Sequence, residues 1–327
     1  MDTPVLGVQD TYDGPDQWQI STSWRFQKSG RHFVGSEEQE ERQEEGSEVV
    51  NTINLLETNI RYNATPRWSF SVGIPYLIAE RSNALRGPNR EIIGRTTTQA
   101  RGMGDVTVVA RRLMRDPEAS PDANISLGFG LKLPTGDNNV VDTRQRVVGG
   151  QVVNSVETVD QSIQPGDGGF GFLLEFQGSR RLGHSGLVGY LSAGYLVNPE
   201  EENGVATFRN NVGEEFMSVA DQYLARVGVG YSSTDWKGWS VTLGGRLEGV
   251  PVEDLTGGSE GFRRPGYAIS VEPAISWSKG AHSISLAVPV ALYRNRTRSV
   301  PDRAVPGRHG DAAFADYVVM LGYWRRF

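Results

Sequence analysis

Twelve times along this chain, apolar side chains fall on every second residue. In 68–78 they are Trp68, Phe70, Val72, Ile74, Tyr76 and Ile78, with Ser69, Ser71, Gly73 and Pro75 between. In 125–133 Ile125, Leu127, Phe129, Leu131 and Leu133 alternate with Ser126, Gly128, Gly130 and Lys132. Successive side chains of a strand point to opposite faces, so a period of two marks a strand with one oily side. The pattern recurs at about 17–28, 48–63, 67–80, 102–114, 123–134, 167–180, 186–198, 218–233, 239–250, 265–277, 282–293 and 314–327. No stretch of similar length carries a 3.6-residue stripe, which predicts an all-β chain.

The connections constrain the fold further. Short turns such as "NATPR", "LGHSG" and "SKGAHS" alternate with long loops near 29–47, 81–101, 135–166, 199–217, 251–264 and 294–313. A barrel crossing a bilayer has this asymmetry and an even strand number, and its closure pairs every backbone group that lipid would leave unsatisfied. The expectation is a 12-stranded antiparallel transmembrane β-barrel with short periplasmic turns and long extracellular loops. Residues 17–327 form the barrel and 1–16 a periplasmic segment before it. Aromatics gather near strand ends, where amphipathic rings favour the lipid–water boundary: Trp18, Trp68, Trp239, Trp277, Tyr323 and Phe327 toward the turns, and Tyr76, Tyr195, Tyr267 and Tyr317 toward the loops.

Composition excludes other classes. A net charge of -6 and no basic stripe give no reason to expect nucleic acid, and no apolar run is long enough for a spanning helix. Cysteine is absent, so there is neither a disulfide frame nor a thiol site. The opening "MDTPVLGVQD" lacks a basic stretch followed by an apolar one. For a barrel of the bacterial outer membrane, the expectation is a mature chain whose signal peptide is absent or replaced.

The opposite phase of the strands lines the lumen. It contributes Arg25, Glu57, Arg61, Arg111, Lys132, Glu175, Arg226, Arg246, Glu248 and Glu272, with Gly128, Gly130, Gly228, Gly230 and Gly244 leaving room for them. Separated by sign on two walls, these charges would set up a transverse field that selects small polar solutes. Paired, they would fill a narrow lumen. The first loop is acidic, with Glu37, Glu38, Glu40, Glu41, Glu44, Glu45 and Glu48; the second and last are rich in arginine. Such runs either form solvated faces or fold against one another at the mouth, and arginines at the loop bases suit lipopolysaccharide phosphates.

Catalysis finds no support. Of the four histidines, His184 and His282 precede Ser185 and Ser283 in turns, and His309 with Asp311 only mimics an acid–base pair. "GGFG" and "RGMGD" are not followed by the helix that a phosphate cradle needs, and no cluster suits a metal or other cofactor.

"RGMGDVTVVARRLM" and "GFGLKLPTGD" resemble a family of outer-membrane channels named after the MetA pathway of phenol degradation. The resemblance rests on Gly102, Gly104 and Asp105 entering the fourth strand, and on Lys132, Pro134, Thr135, Gly136 and Asp137 closing the fifth. It implies a barrel that admits aromatic or other small organic compounds. Read physically, "LPTGD" ends a strand: Pro134 cannot donate to a ladder, Gly136 tolerates positive φ, and Thr135 and Asp137 can hydrogen-bond a turn. The loop that follows, 135–166, carries "VVGGQVV" and is the best candidate for an inward-folded plug or an outside hairpin.

Two functions stay open: a channel for passive uptake of small solutes, or a scaffold barrel that holds a lipoprotein, cytochrome or other envelope partner. The closing "YWRRF", with Tyr323 and Phe327 in one phase, resembles the tail by which the barrel-assembly machinery recognises its clients.

Overall fold

Alternation becomes a wall. A computed structural model describes residues 17–183, 186–209 and 211–327. The barrel strands are β1 (Gln17–Val34), β2 (Val50–Asn63), β3 (Trp68–Arg86), β4 (Val106–Leu113), β5 (Ala123–Leu133), β6 (Gly171–Arg181), β7 (Leu187–Val197), β8 (Gln222–Ser232), β9 (Trp239–Val250), β10 (Gly266–Lys279), β11 (His282–Ala287 and Val290–Arg296) and β12 (Ala312–Arg326). Each pairs antiparallel with its chain neighbours, and β12 returns to β1 with Trp24 opposite Leu321. The sheet therefore closes as a 12-stranded transmembrane barrel.

The molecule is inside-out by the standard of a soluble protein. Phe129 is 54% exposed on the outer face, whereas Glu272 on the inner face is 2% exposed. Trp24 hydrogen-bonds outward-facing Asn54 through its indole N–H at 3.1 Å, so even that polar amide is satisfied. Ring pairs mark the turn-side rim, Trp18 with Tyr62 at 4.8 Å and Trp239 with Trp277 at 6.4 Å; Tyr267 and Tyr293 pair at 5.9 Å toward the loops. At the C-terminus the Phe327 N–H donates to Trp18 O at 2.9 Å, and Arg325 lies over the Phe327 ring at 4.6 Å.

Three stretches differ from expectation. The stretch 81–101, expected as a loop, continues the ladder: β3 runs on to Arg86, turns, and returns through Ile92–Met103. The inward face of that return is Thr96, Thr98 and Ala100, all buried, so its alternation is small and polar rather than oily. The expected fourth strand, 102–114, is interrupted at Gly104–Asp105 and resumes as β4. Strand β11 is likewise broken at Val288–Pro289, because Pro289 has no N–H for the ladder. Beyond that break its pairing with β12 is confined to Val290 with Tyr317. Arg294 bridges the gap, donating to Ala315 O at 3.1 Å and to Asp316 at 2.7 Å. The segment 1–16, and His184 with Ser185, lie outside the described residues.

Candidate functional site

Inner charges meet because glycines stand between them. Arg111 on β4 and Glu175 on β6 both face Gly128 of the intervening β5, and a Cβ there would sit 2.8 Å from the Glu175 carboxylate. With no side chain in the way, Arg111 Nη2 reaches Glu175 at 2.5 Å across two strand spacings, about 9.6 Å of wall. Next along the wall Tyr190, Gly228, Gly244 and Glu272 form one cross-strand row. The Tyr190 hydroxyl occupies the space that both glycines leave.

Glu272 is the hub of the second cluster. It accepts from Arg226 Nε at 2.9 Å and from Arg246 Nη1 at 3.3 Å; Arg246 Nη2 continues to Glu248 at 2.7 Å, and Arg25 reaches Glu248 from β1 at 3.5 Å. Lys132 pairs with Asp167. Arg25 and Glu248 line the upper of two cavities; Glu57, Arg61, Arg111, Lys132, Glu175 and Arg226 line the lower. Arg25, Arg111, Lys132, Glu175, Arg226, Arg246, Glu248 and Glu272 thus meet partners of opposite sign rather than standing apart by sign on two walls.

The lower cavity has a volume of about 700 Å³ and extends from Gln19 and Ser126 near the turns to a roof that includes Gln161, Ser162, Pro165, Arg263 and Arg264. The upper, about 500 Å³, opens toward the loops. Gln27, Ser162, Gln222, Val250 and Arg264 line both and mark the constriction between them.

Residues 159–167 make most of that roof. The loop 135–166 divides: Val141–Val148 and Gln151–Thr158 form an outside hairpin, and the chain then turns into the barrel. "VVGGQVV" is the hairpin tip, with Val148 and Val152 exposed, so the plug is not made by the loop's most hydrophobic stretch. Its anchors are instead Val159 and Ile163, fully buried against inward-facing Leu77 and Ala79. Asp160 caps a short 3-10 turn through the Ser162 N–H. It also binds Arg264 bidentately at 2.9 and 2.7 Å and lies 3.5 Å from Arg81. Burial pushes the Asp160 carboxyl up, yet Arg264 and Arg81 outweigh it and hold it well below the usual carboxylate range.

The quoted motifs pin the two ends of this loop. Gly104, Gly136 and Gly166 meet backbone to backbone; a Cβ on Gly136 would lie 2.8 Å from both Gly104 C and Gly166 Cα. Asp105 accepts from the Gly136 N–H at 2.9 Å and from the Asp167 N–H at 3.0 Å, so one carboxylate ties both ends. Gly166 N–H donates to Asp137 O at 3.0 Å. Thr135 Oγ1 accepts from Val106 N–H at 2.8 Å and donates to Gly104 O at 3.1 Å. Gly102 packs toward Pro165, while Pro134 only ends its strand. Asp160, Arg264, Gly166 and Asp167 are not among the residues singled out from the sequence. A repeated Gly-Asp pair, at 104–105, 136–137 and 166–167, is the signal that points to the clasp.

At the outer mouth Glu38 pairs with Arg31 and Glu48 with Arg95, while Glu37, Glu40, Glu41, Glu44 and Glu45 stay exposed, so the acidic loop does not fold into the lumen as a block. The Asp311 carboxylate pairs not with His309 but with buried His32 at 2.6 Å and Arg42 at 3.0 Å; His309 contacts Arg296 O. Burial raises the Asp311 carboxyl, but the His32 hydrogen bond and the Arg42 charge outweigh it and lower it to about 2. A depressed carboxylate stabilises the fold above its unfolded value, about 3.9, and that contribution fades as pH falls through the folded one. Amide exchange at Val49 and Ala312 is therefore expected to be unchanged from pH 7 to 5 and to accelerate, relative to its intrinsic rate, between about pH 4 and 2. His282 Nδ1 lies 2.9 Å from the Tyr323 hydroxyl on the turn side.

No protein-family model matches the chain, and no curated protein does. Among solved structures it is similar to the COG4313 outer membrane channel from Pseudomonas putida F1, at 13% identity and a TM-score of 0.61, covering 98% of this chain and 100% of that one. It also matches the translocator domain of the autotransporter NalP from Neisseria meningitidis, at 11% identity and a TM-score of 0.47, covering 97% and 90%. The toluene transporter TodX from P. putida matches at 10% and 0.44, covering 96% and 90%. The last two scores are too low to bear on the assignment. What the first establishes is the fold, that of an outer-membrane β-barrel.

Proposed function

We propose that the chain is a channel of the bacterial outer membrane that admits small organic solutes passively, and that it belongs with the phenol-pathway channels its motifs resemble. The observation that carries this reading is the lower cavity: about 700 Å³ walled by paired ions and by Leu55, Val109 and Leu173, under a roof made by a clasped loop. Pairing leaves the wall polar without a strong field, which suits solutes with both an apolar body and a hydrogen-bonding group. Among alternatives, a scaffold draws on the exposed valines of the 141–158 hairpin, a surface for an envelope partner.

Single-channel recording of the full chain in planar bilayers, with liposome swelling in small sugars and phenols, tests the reading. Discrete conductance and solute-dependent swelling support a channel. A barrel closed under every condition, isolated with a tightly bound partner, supports the scaffold.

The tail is a proposed assembly signal. Deleting Phe327 is expected to lower outer-membrane levels several-fold while leaving unit conductance of the assembled fraction unchanged. Immunoblots of membrane fractions read this, and normal levels would count against it.

A further inference from the structure

Three arginines above the plug outnumber their acids. The upper cavity is lined by Arg25, Arg42, Arg81, Arg209 and Arg264, against the carboxylates of Glu248 and Asp311. Arg25 and Arg42 are matched by Glu248 and Asp311. Arg81, Arg209 and Arg264 remain, and behind them stand two buried carboxylates: Asp160, which serves Arg81 and Arg264, and Glu214, which takes Arg209 at 3.1 Å. Among the described residues one positive charge is left over.

Hydrogen bonding shows the same surplus. A guanidinium has five N–H donors in a rigid fork. Arg81 spends its Nη groups on Asn51, Ser162 and Asp160, and Arg209 spends Nη1 on Glu214, while the Nε of each is buried without a partner among the described residues. Burying charged donors unpaired is costly, so the cluster is short of an acceptor and of a negative charge.

The surroundings say what kind of anion. Arg209 and Arg264 both lie over the Phe262 ring, at 4.1 and 4.5 Å, which fixes their planes; Arg144 lies over Phe208, itself in the cavity wall, at 4.8 Å. Leu224, Phe314 and Val318 complete an apolar side. A forked, planar donor set beside aromatic surface matches a carboxylate attached to a flat apolar body.

We infer that the upper cavity binds small organic acids as their carboxylate anions, aromatic ones included, through Arg81, Arg209 and Arg264. This rests on the channel reading only in placing the site on the solute's path at the constriction. It narrows the solute class from small organic compounds to those that carry a negative charge.

Isothermal titration of the full chain in detergent, at constant ionic strength, tests it with sodium benzoate and with benzamide, its neutral counterpart of similar shape. Benzoate is expected to bind at least about tenfold more tightly than benzamide. Arg209→Gln should weaken benzoate about tenfold and leave benzamide unchanged, with Arg209→Lys intermediate, since it keeps the charge and loses the fork. Heat-modifiable migration in gels establishes that each variant is folded; where one is not, the benzoate–benzamide contrast in the unaltered chain decides. Equal affinity for the two probes, or undiminished benzoate binding by folded Arg209→Gln, overturns the inference. Conductance separates it from the channel reading. A barrel that conducts but does not distinguish the probes loses the anion site alone, and one that binds benzoate but never conducts loses the channel alone.

Discussion

Replacing Asp105 by alanine is expected to free the loop 135–166 without unfolding the barrel. The carboxylate is the sole side chain tied to the N–H groups of both Gly136 and Asp167, at 2.9 and 3.0 Å. Both lose their partner in Asp105→Ala, and a buried N–H left unsatisfied costs about 1–3 kcal/mol. The wall does not depend on it: β3 still pairs with β4 and β4 with β5, because those ladders are backbone to backbone. The loss therefore falls on the local opening of residues 159–167. At about 2 kcal/mol or more, amide exchange in that segment rises roughly thirtyfold, while exchange in β7 and β8 stays as it was. Equal acceleration across the whole barrel would show that Asp105 supports the wall, and no acceleration would show that the clasp is redundant.

The second large effect is on stability. Glu272→Gln removes the carboxylate that Arg226 and Arg246 share inside the barrel. Breaking a buried ion pair from one side costs about 3–5 kcal/mol, because the remaining charge is uncompensated. Arg246 also holds Glu248 at 2.7 Å. Urea unfolding in detergent micelles, followed by tryptophan emission, should show a midpoint lowered in proportion to that loss with an unchanged slope. A shift below about 1 kcal/mol would mean that water in the lumen screens these charges as it does at a surface.

What the sequence disclosed follows from the length scale of each interaction. Period-two patterning is local, and lipid on the outside keeps it strict, so the oily strands could be read one at a time. The return strand Ile92–Met103 escapes such reading because it stands above the oily belt, with Thr96 and Thr98 inward and Arg95 and Gln99 outward. The break at Pro289 hides for the opposite reason: Val288 and Val290 keep the alternation going through it. Pairings among inner charges depend on register. Once Gly128 is known to face both Arg111 and Glu175 the ion pair follows, but a single strand does not contain that information. The plug is hardest of all. It has two apolar anchors, Val159 and Ile163, and its remaining hold is polar contact with residues up to 104 positions away, as from Asp160 to Arg264. The more hydrophobic hairpin tip nearby draws attention away from it.

The exposed tip and buried plug also change how the long loop should be understood. Its hairpin lies alongside the Ile92–Met103 strand, where Asp142 accepts from the Gln99 N–H at 2.7 Å and Thr96 Oγ1 from the Gln145 N–H at 3.0 Å. Its far end is clasped by Asp105. The segment between them is thus held at both ends, and its middle is fixed by Val159 and Ile163 against the wall and by Asp160 on Arg264.

Single-channel conductance before and after removal of that middle section shows whether residues 159–167 close the lumen. Replacing residues 160–164 by glycines and serines leaves the clasp and the wall intact but removes Ser162 from the constriction, together with Asp160 and Ile163, which hold the segment there. If residues 159–167 close the lumen, conductance in planar bilayers rises several-fold and the heat-modifiable barrel is retained. Conductance equal to that of the unaltered chain, in a barrel that still folds, would contradict the account.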